Sequence, residues 1–252
     1  PGGRSNATEE YDGSSWTTVN TVPVTLSGRG GAGTQTAGLL FGGNPTPASV
    51  ATTTEYDGTN YSEGGAMNNA RGYGPIAGGT QTAAIGGGGY HPPVTNVTVT
   101  EYYNGTAWTA QSGANPTTYG GASGGTQSAA WMISGLPPST PKAAFNWDGS
   151  SWTASGTYPS VKVLNMFGGG TQTAGWMCGG STDPGLKNFT NHYDGTTWAS
   201  APTLGTARTG YCQGGTTNLG LIAGGTSTEP STRTTATEEF THVVETKTLT
   251  TS

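Results

Sequence analysis

The 252-residue chain contains 45 Gly and 15 Pro, about a quarter of its length, with 31% apolar and only 9% charged residues. A net charge of −5 together with 7 Trp, 11 Tyr and 5 Phe argues against intrinsic disorder, which combines high net charge with few aromatic residues. The absence of any Lys/Arg cluster, long apolar run or signal-peptide core argues against a nucleic-acid partner and against membrane insertion. We therefore expect a folded, all-β protein.

Two signatures alternate along the chain with a period of about 46 residues. The first is the tetrapeptide Gly-Thr-Gln-Thr or a close variant, followed after a short apolar run by Gly-Gly or Ser-Gly. In chain order it begins at Gly33, Gly79, Gly125, Gly170 and Gly215. The second is an aromatic residue followed by Asp-Gly or Asn-Gly and by another aromatic residue just beyond the turn. It begins at Tyr11, Tyr56, Tyr103, Trp147 and Tyr193.

Each repeat is too short for a domain and contains two hairpin signals, so it predicts one four-stranded unit that is buried against its neighbours. The sequence therefore predicts a five-bladed β-propeller of four-stranded antiparallel blades. Gly-Thr-Gln-Thr is expected to join strands one and two, and the Asp-Gly turn to join strands three and four with type I′ geometry. First strands rich in Gly and Ala suit the crowded axis, and second strands are apolar because both faces are covered.

The two ends of the chain compete for the last blade. Residues 7 to about 20 supply strands three and four without strands one and two, so we predict that they complete the blade begun by residues 209–225. The competing interpretation is that residues 236–240, which repeat residues 7–11, take this place instead, with residues 241–252 as the outermost strand of the blade. A single propeller domain is expected over residues 1–240. Residues 241–252 are then a C-terminal strand or tail that contacts a neighbouring subunit or another protein.

The glycine pair after an apolar strand, the Tyr-Asp-Gly-x-x-Trp signature and the segments Asn69–Tyr73 and Thr206–Tyr211 together resemble the kelch repeat of β-propellers, including the propeller domain of galactose oxidase. The Gly/Thr-rich variant, with Gly-Thr-Gln-Thr-Ala and Glu-Tyr-Asp-Gly, is more specifically similar to kelch-like repeats in virion proteins of tailed bacteriophages. The resemblance covers residues 7 to about 240. It implies the fold much more strongly than the function, because one propeller fold serves many tasks.

Residues of catalytic or metal-binding type recur once per repeat. Beside the turn glycines lie Asp12, Asp57, Asp148 and Asp194, and at a shared later position lie Trp16, Trp108, Trp152 and Trp198. One residue per blade is typical of turn and packing roles, so we expect no catalytic residue, no metal and no cofactor. Cys178 and Cys212 are expected to be buried free thiols, with a disulfide as the alternative. The ligand set of galactose oxidase-like copper chemistry has no match in this sequence.

The segments from strand two to strand three differ most between repeats and are expected to share one face of the ring, whereas the short turns share the other. We call these the loop face and the turn face. Loops on a rigid scaffold commonly carry recognition, and proline lowers the cost of ordering them. The predicted ligand-binding residues on these loops are Tyr90, His91, Lys142, Asp183, Lys187, Glu229 and Arg233. The alternative is that the loops are only tolerated surface variation.

The leading functional hypothesis is a non-enzymatic bacteriophage virion protein, a fibre, knob or decoration module on the extracellular virion surface. Its loops would bind a host-surface glycan, and its partners would be other virion proteins and further copies of itself on the particle. The alternative is a purely structural virion protein that docks to capsid or tail without a ligand. A galactose oxidase-like or glycosidase-like enzyme is a third possibility that only the fold suggests.

Overall fold

The computed structural model describes residues 5–45, 48–73, 76–91, 95–116, 119–133, 135, 143–159, 164–182, 185–210, 213–228 and 232–241. The chain forms an all-β, five-bladed β-propeller of four-stranded antiparallel sheets, as the repeats predict. No helix occurs within these ranges, and so none of them contains a helix able to cross a membrane.

The strands follow the repeats in chain order. An N-terminal hairpin is formed by β1 (Thr8–Tyr11) and β2 (Trp16–Val19). Blade 1 contains β3 (Gly30–Thr34), β4 (Ala37–Phe41), β5 (Thr53–Tyr56) and β6 (Tyr61–Gly64). Blade 2 contains β7 (Ile76–Thr80), β8 (Ala83–Gly87), β11 (Glu101–Tyr103) and β12 (Trp108–Ala110), with a small hairpin of β9 (Tyr90–His91) and β10 (Thr95–Asn96) in its loop.

The remaining blades repeat this order. Blade 3 contains β13 (Ser123–Gly125), β14 (Ala130–Ile133), β15 (Ala143–Trp147) and β16 (Trp152–Thr157). Blade 4 contains β17 (Phe167–Thr171), β18 (Ala174–Cys178), β19 (Thr190–Tyr193) and β20 (Trp198–Ala201). Blade 5 has three described strands, β21 (Gln213–Gly215), β22 (Leu219–Ala223) and β25 (Thr237–Thr241), and its loop carries a hairpin of β23 (Thr226–Thr228) and β24 (Thr232–Arg233).

The glycine-rich first strands surround the axis, and the second strands form the buried layer behind them. Residues of all five first strands line one central cavity of about 750 Å³. On β14 every residue is buried, including Trp131 and Met132, because the neighbouring blades cover both faces of the sheet. The Gly-Thr-Gln-Thr turns join strands one and two as predicted, for example with Thr34 opposite Ala37 in blade 1.

The Asp-Gly turns join strands three and four as predicted, but they are not type I′ turns. A type I′ turn requires positive φ at two successive residues, and here only the glycine has it, as at Gly58 with φ +92°. Each turn is a four-residue loop in which the first side chain replaces the missing backbone bonds. In blade 1 the Asp57 carboxylate accepts hydrogen bonds from the backbone N–H groups of Thr59 (2.8 Å) and Asn60 (2.6 Å).

The prediction that the N-terminal hairpin completes blade 5 was wrong. The third position of that blade is filled by β25, which pairs antiparallel with β22, and Phe240 lies opposite Gly220. The competing interpretation placed residues 236–240 in this blade, and residues 242–252, its expected outermost strand, lie outside the described residues. The physical reason is chain connectivity: β25 follows β22 after residues 224–236, so closing this loop costs less chain entropy than recruiting the distant N-terminus. An ion pair between Arg208 and Glu238 also holds β25 in place.

The N-terminal hairpin instead lies between blade 5 and blade 1 and is bonded to both. Trp16 Nε1 donates to Thr237 Oγ1 of blade 5 (2.9 Å), and the Tyr56 hydroxyl of blade 1 donates to Glu10 Oε1 (2.8 Å). Burial and the hydrogen bond to Glu10 raise the pKa of Tyr56 to about 12. The hairpin thus bridges the first and last blades without joining either sheet.

In blades 2, 3 and 4 a glutamine in the turn between strands one and two ties the blade to the preceding one. Gln81 Nε2 donates to the backbone carbonyl oxygens of Gly38 (3.0 Å) and Tyr56 (2.8 Å), which belong to strands two and three of blade 1. The same two bonds to the preceding blade are made by Gln127 and Gln172. The glutamine therefore satisfies two carbonyl groups that the sheet leaves open where strands two and three meet the turn face.

We expect Gln81→Ala to lower the free energy of unfolding by about 1–3 kcal/mol, because two partly buried carbonyl groups lose their donor. Gln35→Ala is the matched control. The Gln35 side chain is exposed and has no hydrogen-bond partner among the described residues, so this variant should unfold like the parent. Urea unfolding of both variants measures the difference, and equal losses would contradict the assigned role.

Candidate functional site

The mouth of the axis on the loop face is built from one backbone position in each of four successive blades. The Gly120 N–H donates to the Tyr73 carbonyl (3.0 Å), that of Asn165 to Gly120 (2.6 Å), and that of Gly210 to Asn165 (3.2 Å). Each residue lies two or three positions before the first strand of its blade. This chain of bonds makes a rigid rim around one end of the central cavity.

Two residues on this rim have a backbone conformation that favours glycine. Tyr73 has φ +58° and Asn165 has φ +52°, and they are the only described non-glycine residues with positive φ. Gly28 and Gly120 take the corresponding conformation at φ +63° and +70°. A bulky residue in the left-handed region costs about 1–3 kcal/mol, and such strain concentrates at functional sites. Of the rim residues, Tyr73 is therefore the one whose side chain fits its backbone conformation least well.

Tyr73 belongs to a cluster of three tyrosine rings. Its ring centroid lies 5.7 Å from that of Tyr90 and 6.5 Å from that of Tyr119, and these two lie 5.3 Å apart. Tyr90 is held in place by two backbone hydrogen bonds with Gly72, both 3.0 Å long. The Tyr73 side chain is 44% exposed, and Tyr90 and Tyr119 are half-buried. The cluster presents a rigid aromatic surface beside the axis.

Below the rim, Arg29 lines the central cavity. Its Nη2 donates to Thr54 Oγ1 (2.8 Å), while Nε and Nη1 are buried without a hydrogen-bond partner in the described part of the chain. Burial lowers the pKa of this guanidinium. Blades 2 and 5 have a glutamate at the position of Thr54, where it pairs with Arg71 or Arg208, so Arg29 meets a hydroxyl where those blades have a carboxylate. Arg29 thus places its positive charge beside the third strand of blade 1, at the wall of this cavity.

The sequence-predicted site residues are only partly brought together. Tyr90 joins the cluster, and the neighbouring His91 is half-buried with Nδ1 lacking a partner among the described residues. Lys187 lies on the loop of blade 4 and Arg233 on β24 of blade 5, so each belongs to a different blade from Tyr90. The predicted residues Lys142, Asp183 and Glu229 lie outside the described residues.

Tyr73, Tyr119 and Arg29 are not among the site residues predicted from the sequence. The predicted residues come from the segments between strands two and three, whereas these three lie in segments that lead into the first strand of a blade. Alignment of the repeats at the first strand would have found the signal, because Tyr73 and Asn165 stand where blade 1 has Gly28. A non-glycine residue at such a position is informative only once the turn is known to need positive φ.

The repeated aspartates serve the turns rather than a ligand. Asp148 Oδ1 accepts from the backbone N–H groups of Ser150 and Ser151, both at 2.8 Å. The bonds from the Ser151 N–H and from the Ser150 hydroxyl and N–H lower the pKa of Asp148 far below 3.8.

Within the described ranges, no group of three or more His, Cys, Asp or Glu side chains lies close enough to hold a metal ion. Cys178 is a buried free thiol, and burial raises its pKa.

Asp148→Asn should make the protein less sensitive to acid. Because the folded state lowers the pKa of Asp148, its stabilising contribution is present above the unfolded value near 3.8 and is lost as the pH falls below that value. Asparagine does not titrate but accepts the same bonds, as Asn104 does from Thr106 and Ala107 in blade 2. The melting temperature measured from pH 6 to pH 2.5 tests this. Asn104→Asp is the converse control and should steepen the fall.

Comparison with known proteins agrees with the kelch-like β-propeller fold. The solved structure of YjhT, a kelch-repeat protein, superposes on this chain with a TM-score of 0.72 at 15% sequence identity, covering 93% of this chain and 88% of that chain. At this identity the similarity shows the fold alone. No protein-family model and no curated protein matches the sequence.

Proposed function

We propose that this chain is a non-enzymatic adhesion module on the surface of a bacteriophage virion, and that its loop face binds a host-surface glycan. The observation that carries the proposal is the cluster of Tyr73, Tyr90 and Tyr119 at the mouth of the axis. The virion setting rests on the resemblance of the Gly/Thr-rich repeats to those of phage virion proteins. The expected partners are other virion proteins and further copies of this chain.

Tyrosine suits this task for physical reasons. It offers a large contact surface with few rotatable bonds, so little conformational entropy is lost on binding, and its hydroxyl bonds polar ligands. A sugar ring has apolar C–H faces and many hydroxyls, which matches a surface of exposed tyrosine edges and faces. The strained backbone of Tyr73 supports the same interpretation, because glycine would satisfy the fold at lower cost. A rigid rim also means that the site is formed before the ligand arrives.

Tyr73→Gly should weaken binding to a recognised polysaccharide about tenfold or more, while the melting temperature stays equal or rises because the strain at φ +58° is removed. The assay is binding of the purified protein to a panel of immobilised bacterial surface polysaccharides. Asn165→Gly is the matched control: it relieves the same backbone conformation in blade 4 without removing an aromatic ring. Its melting temperature should respond similarly, and its binding should equal that of the parent.

Two outcomes would contradict the adhesion proposal. Equal binding by the parent and the Tyr73→Gly variant would remove the tyrosine cluster from the site. Absence of polysaccharide binding, combined with an internal position of the chain in purified particles, would favour the alternative of a purely structural virion protein that docks to capsid or tail. Among the described strands β25 pairs only with β22, so its outer edge is the surface on which such docking would be examined first.

A further inference from the structure

The N-terminal hairpin makes the contacts of the outer half of a blade. In blades 2 and 3 a tryptophan at the start of strand four donates to a threonine near the start of strand three of the preceding blade, as Trp108 does to Thr53 (2.8 Å) and Trp152 to Thr100 (2.9 Å). Trp16 makes the same bond to Thr237, so the hairpin packs on blade 5 as a following blade would.

The same comparison holds on the other side of the hairpin. The Tyr103 hydroxyl of blade 2 donates to Glu55 of blade 1 (2.5 Å), and the Tyr56 hydroxyl of blade 1 donates in the same way to Glu10 of the hairpin. Blade 1 therefore packs on the hairpin as it would on a preceding blade. The hairpin therefore occupies the place that strands three and four of a blade would take between blade 5 and blade 1. We call this place the blade position.

The inner half of this position is a groove. It has a volume of about 390 Å³ and lies between the hairpin, blade 5 and blade 1. Its walls include Tyr11, Trp16, Tyr56 and Leu221, so it is largely apolar. In the four complete blades strand three pairs with strand two on the axis side. Among the described strands β1 pairs only with β2, which leaves the backbone groups on the axis side of β1 without a strand.

The Gln35 side chain indicates which kind of ligand the groove would bind. It occupies the position of Gln81, Gln127 and Gln172, each of which donates to the carbonyl groups of strands two and three of the preceding blade. Gln35 faces the groove, and its amide has no partner among the described residues. Strand three of the position is β1, whereas strand two is missing. A small apolar ligand would leave both Gln35 and the edge of β1 unpaired.

We propose that this groove is a docking site for a β-hairpin supplied by a separate polypeptide. The hairpin has the chemistry of an inner strand pair: a glycine-rich strand beside the axis and a second strand with three consecutive apolar residues. The second strand extends β1 through backbone hydrogen bonds and accepts the bond from Gln35. Its apolar side chains cover Tyr11, Trp16 and Leu221, which continues the packing seen between all neighbouring blades.

The test is a titration of the full chain with a synthetic peptide of residues 120–135, the inner strand pair of blade 3. We expect saturable one-to-one binding by calorimetry. Gln35→Ala should weaken it about five- to tenfold, because the docked strand loses a donor, and should leave the melting temperature of the free protein unchanged. A control peptide in which Trp131, Met132 and Ile133 are replaced by Ser should not bind.

A second measurement uses a fusion protein, in which the entropic cost of associating two molecules is absent. The peptide sequence is fused ahead of Pro1, so that its second strand leads into β1 in the chain order of a normal blade. We expect the melting temperature of the fusion to rise by several degrees, and Gln35→Ala or the serine peptide to abolish most of the gain.

Three results would overturn the proposal. The first is no binding of the peptide together with no gain in the fusion. The second is binding that is equally tight in the Gln35→Ala variant, which would place the peptide elsewhere. The third takes one of two forms. Either the free protein forms a dimer to which the peptide does not bind, or the peptide binds only after residues 242–252 have been deleted. Either form of the third result would show that the groove is filled by a second copy or by the chain's own C-terminus.

Discussion

Arg71→Ala should lower the free energy of unfolding by about 3–5 kcal/mol, because it leaves Glu101 as a buried carboxylate without its cation. The two side chains form an ion pair in which neither is exposed to solvent. Arg71 Nη1 also donates to the Val99 carbonyl (2.9 Å), and Glu101 accepts from the Asn68 N–H (2.8 Å), so one residue ties together the segment before blade 2 and its third strand. Thermal unfolding should shift by about 10 °C or more.

The double variant Arg71→Met with Glu101→Leu is the control for this effect. It buries apolar groups of similar size and leaves no unpaired charge, so it should be more stable than either single variant. Glu238→Ala tests the equivalent pair in blade 5, where the Glu238 side chain is 24% exposed, and its loss should be smaller. If Arg71→Ala unfolds at the same temperature as the parent, the pair does not hold the blade.

Gly79→Ala should lower the free energy of unfolding by about 3 kcal/mol. Gly79 has φ +93°, and a Cβ at this position would press into the carbonyl oxygen of Ala83 across the Gly-Thr-Gln-Thr turn. The loss combines the cost of a left-handed backbone with that of displacing a packed strand. Chemical unfolding measures it directly.

Gly214→Ala is the matched control, because Gly214 also lies on a first strand but has open space around it. This variant should stay within about 0.5 kcal/mol of the parent. Equal destabilisation by both substitutions would mean that first strands require glycine for lining the axis and not for the turn.

The sequence predicts the strands and turns well because the repeat is local. Each period contains its own turn glycines, its own apolar second strand and its own aromatic pair, and these act through short-range hydrogen bonds and packing on the next repeat. The Asp-Gly turns show what the sequence pattern does not predict. Their place is evident from the sequence, but whether the backbone or the Asp57 carboxylate satisfies the turn N–H groups depends on side-chain geometry.

The tyrosine cluster and Arg29 are less accessible to sequence reasoning. Tyr73, Tyr90 and Tyr119 come from three separate segments, and only the packing of blade 2 on blade 3 brings them within ring-contact distance. The strain at Tyr73 is equally a property of the folded backbone. Of the predicted loop residues, Tyr90 is the one that the described structure places in this cluster.

By itself, the sequence determined the all-β class, the repeat of about 46 residues and the five blades, because each of these follows from spacing within one repeat. The tertiary structure decided which end of the chain completes blade 5. Residues 7–11 and 236–240 are nearly identical, so local preference cannot separate them. Chain connectivity to β22, the pair of Arg208 with Glu238, and the packing of Phe240 on Trp176 at 4.9 Å favour the C-terminal strand. The Phe240–Trp176 contact joins blade 5 to blade 4, so it exists only once these two blades have packed together.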